Sequence, residues 1–195
     1  MTKTSERLFT LNDLLSRQLD FQRRLNNKLP QSIVDFGNVQ TSLSHNIYQT
    51  IEFQEFIEAD SIKDRQEELI DYLLFMLNKY LYLMPVQGIR IPTEVYLSGL
   101  LWSFNSDESL AQCNSLANLE QNAYITLIRK HCTFKPWKNR DGENCAPFDA
   151  VYATFIQALY CFKQMANIVF SSYEELHECL EMKLKKNVDR QNSGY

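Results

Sequence analysis

Helix-breaking residues are scarce in this chain: five glycines and five prolines punctuate 195 positions, so most of it must run in long uninterrupted segments. Val-rich alternating runs, the mark of strands, are also scarce, which leaves helices as the elements able to fill those segments. The expected fold class is therefore all-α. With 45% hydrophobic residues the chain can bury a sizeable core, and residues 1–195 are read as one domain.

A bundle of about six helices is expected, and apolar spacing and breakers mark seven candidate segments for it. The first runs from about Thr10 to Asn27, where Leu11, Leu14, Leu15, Leu19 and Leu25 recur at helical intervals before Pro30. A polar loop is expected around Asp35 to Ser44, containing Gly37. A second helix, marked by Ile47, Ile51, Phe53, Phe56 and Ile57, then ends near Ala59. Ser61-Ile-Lys-Asp64 has the form of a capping box with Asp in place of Glu, and it opens a helix from Ile62 to about Met84, stopped by Pro85 and Gly88. Further helices are predicted at Glu94–Phe104, Leu110–Cys132 and Phe148–Phe170, with an irregular loop over Thr133 to Pro147. Ser172 caps a last helix whose first turn carries Glu174 and Glu175.

The net charge of −4 offers no general attraction to nucleic acid or to an anionic membrane, so a phosphate ligand has to be met locally. Cys113, Cys132, Cys145, Cys161 and Cys179 are odd in number and contain no C-x-x-C pair, which suits reduced thiols in a cytoplasmic protein. His131, Cys132 and Cys145 lack a fourth ligand at zinc-like spacing. No stretch approaches the roughly 18 apolar residues of a membrane span, and the N-terminus has no apolar signal region.

Two acidic pairs carry the chemistry. Glu52-x-x-Glu55 lies on the second helix and Glu68-x-x-Asp71 on the third, each pair on one helical face. If the two helices fold back as an antiparallel hairpin, Glu52 and Asp71 are equidistant from the same central turn as Glu55 and Glu68. At about 1.5 Å rise per residue on each arm, Glu55 then lies level with Glu68 and Glu52 level with Asp71. Four converging carboxylates repel one another unless a divalent cation neutralises them, and an all-oxygen set favours Mg2+ or Mn2+. The alternative at this point is two ordinary solvated helix faces. On the third helix Glu68, Asp71, Phe75, Asn78 and Tyr82 follow at spacings of three and four. This is a stripe that can hold phosphates at one end and a sugar or base at the other, or else supplies Phe75 and Tyr82 to the core.

Gln22 and Asn26 project together from the first helix, either as amides that match a pyrimidine edge or as exposed polar residues. Lys183, Asn187 and Arg190 share a face near the C-terminus, suited to phosphate but also to the negative end of a helix dipole. The order of these blocks, Phe21-Gln22 to Asn26, E-x-x-E, E-E-L-x-D and the tail KLKKNVDRQNSGY, resembles the dimeric all-α dUTPases. The tail is similar to that of the phage dCTP/dUTP pyrophosphatases of the same all-α NTP pyrophosphatase superfamily. Residues 85–175 match none of these motifs.

The resemblance implies a helical bundle with a central antiparallel hairpin holding Mg2+ on Glu52, Glu55, Glu68 and Asp71. It gives Glu55 the task of orienting the attacking water, and Gln22, Asn26, Phe75 and Asn78 the base and sugar. Lys183, Asn187 and Arg190 take the phosphates. The implied reaction is hydrolysis of dUTP, with dCTP as a further substrate, by a homodimer. The rivals are a broader MazG-like nucleotide pyrophosphohydrolase and a catalytically silent helical binding protein. Two departures stand out: Leu74 occupies the His position of D-x-x-H-F, and the Trp- and Lys-rich insert between the acidic motifs is absent.

Overall fold

The computed structural model describes residues 11–26, 39–83, 110–132 and 148–193. They form six helices, with no strand among the described residues: α1 (Leu11–Asn26), α2 (Val39–Glu58), α3 (Ile62–Leu81), α4 (Leu110–Cys132), α5 (Phe148–Val169) and α6 (Tyr173–Asn192). The all-α bundle is thus as expected. The predicted helix at Glu94–Phe104, the breakers Pro30, Gly37, Pro85 and Gly88, and the loop from Thr133 to Pro147 lie outside the described residues.

The capping signals act as read. The Ser61 hydroxyl accepts the Asp64 N–H at 3.1 Å and donates to the Asp64 carboxylate at 2.6 Å, closing the first turn of α3. At α6 the Ser172 hydroxyl accepts the Glu175 N–H at 3.2 Å. One boundary differs. The segment Val39 to Ser44, expected as part of a loop, is the opening of α2. Two buried positions of α2 are polar: Ser42 is fully buried, donating to the Lys79 carbonyl at 2.7 Å and meeting the Tyr124 hydroxyl at 2.5 Å, and Gln49 is also buried. Buried Ser and Gln give the first half of α2 no clear hydrophobic period to read, and Ile47 and Ile51, which helped mark the helix in sequence, face outward, while Phe53 and Phe56 are buried.

α3 is the central element. It is buried nearly all round from Leu69 to Leu81 and packs against α1, α2, α5 and α6. Leu69, Ile70, Leu73, Met76 and Leu77 fill the interior with Phe56, Phe155, Phe162 and Leu180, each contributing about 1.5–3 kcal/mol by leaving water. α2 folds back on α3 through the turn at Ala59–Ser61, and contacts between Phe53 and Tyr72 and between Ser42 and the Lys79 carbonyl fix the pair as antiparallel.

α4 joins the hairpin through a buried ionic network. Lys79 and Glu120 are wholly inaccessible, with Nζ 2.6 Å from Oε1. Nζ also donates to Asn46 at 2.9 Å and lies 4.2 Å over the Tyr124 ring. Glu120 accepts from the Tyr80 hydroxyl at 2.9 Å and from Gln49 at 3.1 Å, so both charges are satisfied, as burial requires. Burial still pushes the Lys79 ammonium down to about 8, against the opposing pull of Glu120. α6 is set in register by Gln66 of α3, whose amide donates to the Val169 carbonyl and to Glu175, each at 2.7 Å, and by the bidentate pair of Arg17 with Glu181.

Candidate functional site

The hairpin register brings the acidic motifs together. One carboxylate oxygen each from Glu52, Glu55 and Glu68 lies within 4.8 Å of the others. Glu55 is exposed, and Glu52 and Glu68 are half-buried. Desolvation pushes the Glu52 carboxyl up to about 8, and the charges of Asp71, Glu55 and Glu68 push the same way. Glu52 hydrogen-bonds Glu68, whose own carboxyl is raised mainly by burial, with Lys183 pulling against it. At neutral pH the cluster therefore retains a proton, the response of crowded carboxylates short of positive charge.

Asp71 stands beside this trio and is engaged elsewhere. Its carboxylate pairs with the Lys183 ammonium of α6, with the Lys side chain 8% exposed and the Asp side chain 19%. Burial raises Asp71, while Lys183, Lys186 and Arg190 each favour its charged form. The basic face of α6 therefore borders the acidic end of the hairpin. Lys183 is buried within it, Asn187 half-buried and Arg190 exposed, and Lys186 reaches Glu67 at 3.5 Å.

Beyond the acids the same strip changes character. Phe75 is half-buried and faces Tyr48 of α2, with ring centroids 5.3 Å apart. Asn78 is buried and accepts from the Gln18 amide of α1 at 2.9 Å. Gln22 is buried too, its carbonyl oxygen 3.4 Å from the Tyr82 hydroxyl. Asn26 belongs to the last turn of α1, but its side chain lies outside the described residues. Of the expected base and sugar contacts, Phe75, Asn78 and Gln22 therefore gather at one end of the hairpin.

Two residues on this strip were missed in the sequence. Tyr48 and His45 continue the stripe of Glu55 and Glu52 along α2 at helical spacing. They lie as far from the central turn as Phe75 and Asn78 do on α3. The symmetry that aligned the acids also aligns Tyr48 with Phe75, and it was the available signal. His45 stacks on Tyr82, with centroids 5.1 Å apart and planes 13° apart, and lies 5.9 Å from Phe75.

A separate cavity of about 530 Å3 opens between α2 and α4, lined among others by Asn46, Thr50, Gln54, Asn118 and Gln121. Its polar groups are neutral, and it borders the face of α2 turned away from the acids, so it offers no charge to hold phosphate or metal. No helix among the described residues is long and apolar enough to cross a membrane. Compared with protein-family models, curated proteins and solved structures, the chain matches none.

Proposed function

We propose that the chain hydrolyses pyrimidine deoxynucleoside triphosphates, dUTP or dCTP, to the monophosphate and pyrophosphate. Mg2+ or Mn2+ would be held by Glu52, Glu55, Glu68 and Asp71. The observation that carries this reading is the grading of one interhelical strip, from three converging carboxylates to a Tyr48–Phe75 ring pair, with the cations of α6 at its acidic end. Glu68 and Phe75 are about 10 Å apart along α3 at the helical rise, a separation comparable with that between the phosphates and the base of a nucleotide. The donor set fits the ion: every ligand is a hard oxygen, and the raised Glu52 carboxyl marks a cluster that a divalent charge relieves.

The metal, when bound, neutralises phosphate oxygens and makes water more acidic. Glu55, the exposed member of the trio, orients the attacking water and takes its proton. The water oxygen bonds to the α-phosphorus, the bond from that phosphorus to the bridging oxygen breaks, and pyrophosphate leaves. Lys183, Asn187 and Arg190 meet its negative charge, and Gln22, Asn26, Phe75 and Asn78 hold the nucleoside. No covalent intermediate is needed.

A homodimer belongs to the same reading, and Ile47 and Ile51, 61% and 46% exposed, supply apolar surface for it. Cys113, Cys161 and Cys179 are buried and form no disulfide among the described residues, which is compatible with a reducing cytoplasm.

The test is pyrophosphate release from dUTP, dCTP, dTTP, dATP and UTP with Mg2+ or with EDTA, in the wild type and in Glu55→Gln and Asp71→Asn. Turnover of dUTP or dCTP that is lost in EDTA and in either variant is expected. Turnover spread over purines favours the broader MazG-like activity, and inactivity of the folded protein refutes hydrolysis.

A further inference from the structure

The ring cluster at the far end of the strip contains an atom that packing does not explain. Nδ1 of His45 is buried and has no hydrogen-bond partner among the described residues, although the ring stacks on Tyr82 and lies near Phe75 and Tyr48. A phenyl ring would keep those contacts without leaving a buried nitrogen unsatisfied, which is a net cost to the fold. Tyr48, which touches both His45 and Phe75, is 50% exposed, so its ring can swing aside without opening the core.

We propose that His45 contacts the nucleoside of the substrate, its Nδ1 forming a hydrogen bond to an uncharged polar group of the sugar or base, with Tyr48 as the movable ring that closes over it. This rests on the nucleotide reading of the strip and deepens it: His45 decides how strongly the nucleoside is held, as distinct from the phosphates. Burial also drives the imidazole pKa down to about 4, so near pH 7 the ring is neutral, with one donor and one acceptor nitrogen. A neutral imidazole away from the acidic end suits a sugar hydroxyl or base edge and is a poor partner for phosphate.

The experiment compares, by calorimetry with Mg2+, binding of the non-hydrolysable α,β-imido analogue of dUTP and of inorganic tripolyphosphate. His45→Phe keeps the ring and its stacking but removes the nitrogen. It is expected to weaken the nucleotide analogue about five- to tenfold, the worth of one neutral hydrogen bond, and to leave tripolyphosphate within about twofold. Tyr48→Leu, at an exposed position that does not threaten the core, is expected to show the same selective loss. Unchanged binding of both probes by His45→Phe overturns the proposal, as does an equal loss of both. A wild-type protein that binds neither probe overturns the nucleotide reading itself, and the proposal with it.

Discussion

Replacing Lys183 by Met removes the cation that neutralises Asp71 while keeping most of the apolar stem. In the metal-free protein the pair is nearly enclosed, and removing one partner of a fully buried pair costs about 3–5 kcal/mol. Asp71 retains an edge to solvent and the more distant help of Lys186 and Arg190, and it can also take up a proton. The cost should therefore be smaller, about 2 kcal/mol, or a fall in Tm of roughly 4–8 °C for a domain of this size.

Mg2+ turns this into a test of the site. If Asp71 completes a metal site with Glu52, Glu55 and Glu68, Lys183 competes with the ion for that carboxylate, and the variant should bind Mg2+ more tightly than the wild type. Only the folded state holds the ion, so millimolar Mg2+ should raise the Tm of Lys183→Met more than that of the wild type and close most of the gap seen in EDTA. Thermal denaturation in EDTA and in Mg2+, with Mg2+ calorimetry on both proteins, measures each part. A deficit of equal size in both conditions would refute the reasoning, because Lys183 would then be a structural partner with no link to a cation site.

The raised Glu52 carboxyl gives a pH signature. Its ordinary value of 4.5 applies in the unfolded chain and about 8 in the folded one, so across that window the native state keeps a proton that the unfolded state has released. Stability in EDTA should therefore fall as pH rises from about 5 to 8, and Glu52→Gln should flatten the slope. A rising profile would contradict the cluster. Metal binding displaces the same proton, so Mg2+ affinity should climb up to about tenfold per pH unit in this range, read by calorimetry at pH 6, 7 and 8. In the interior, Glu120→Gln leaves the inaccessible Lys79 without a counter-charge and should cost about 3 kcal/mol at pH 7. The Lys79 pKa is depressed in the fold, so this loss should shrink towards pH 9.5, where the ammonium can shed its proton. Urea denaturation at both values checks it, and a cost below about 1 kcal/mol would show that the network carries little of the stability.

Local rules made much of the fold legible. Ser61 and Ser172 announce their helices because a cap is satisfied within three residues, and α4 and α5 follow from apolar spacing between breakers. The acidic trio was legible because a short turn fixes an antiparallel register, and the register fixes which residues are level. Features that depend on distant partners were hidden. Ser42, Gln49 and Glu120 carry no sign of burial in the sequence, since only the assembled fold supplies Tyr124, Tyr80 and Lys79 to satisfy them. The engagement of Asp71 by Lys183 was hidden too, because it depends on where Gln66 anchors α6. His45 and Tyr48 were accessible in principle, since the register that aligns the acids extends to them, but in the mixed polar and apolar stretch TSLSHNIYQT they carry no motif.

Glu at i and i+3 usually marks a solvated face, and the energetics of the strip decide how far that explanation reaches here. Solvated carboxylates spread apart, whereas Glu52 is half-buried beside Glu68, its carboxyl pushed up by desolvation and by the charges of Asp71, Glu55 and Glu68. A solvated lysine keeps its water, whereas Lys183 is desolvated against Asp71. A packing aromatic leaves no polar atom unmet, whereas Nδ1 of His45 is buried with no hydrogen-bond partner among the described residues. Each of these departures costs stability, and all three lie on one register between α2 and α3, with α6 against its acidic end. Buried charge is expected where a ligand completes a site, whereas an unmet polar atom alone decides less, since Nε of Arg65 and Oδ1 of Asn167 are also buried without a hydrogen-bond partner among the described residues. On the proposed reading the ligand would supply a divalent charge at the acids, an anion for the α6 cations once Asp71 releases Lys183, and a hydrogen-bonding group at His45. A metal-bound nucleoside triphosphate carries all three in that order.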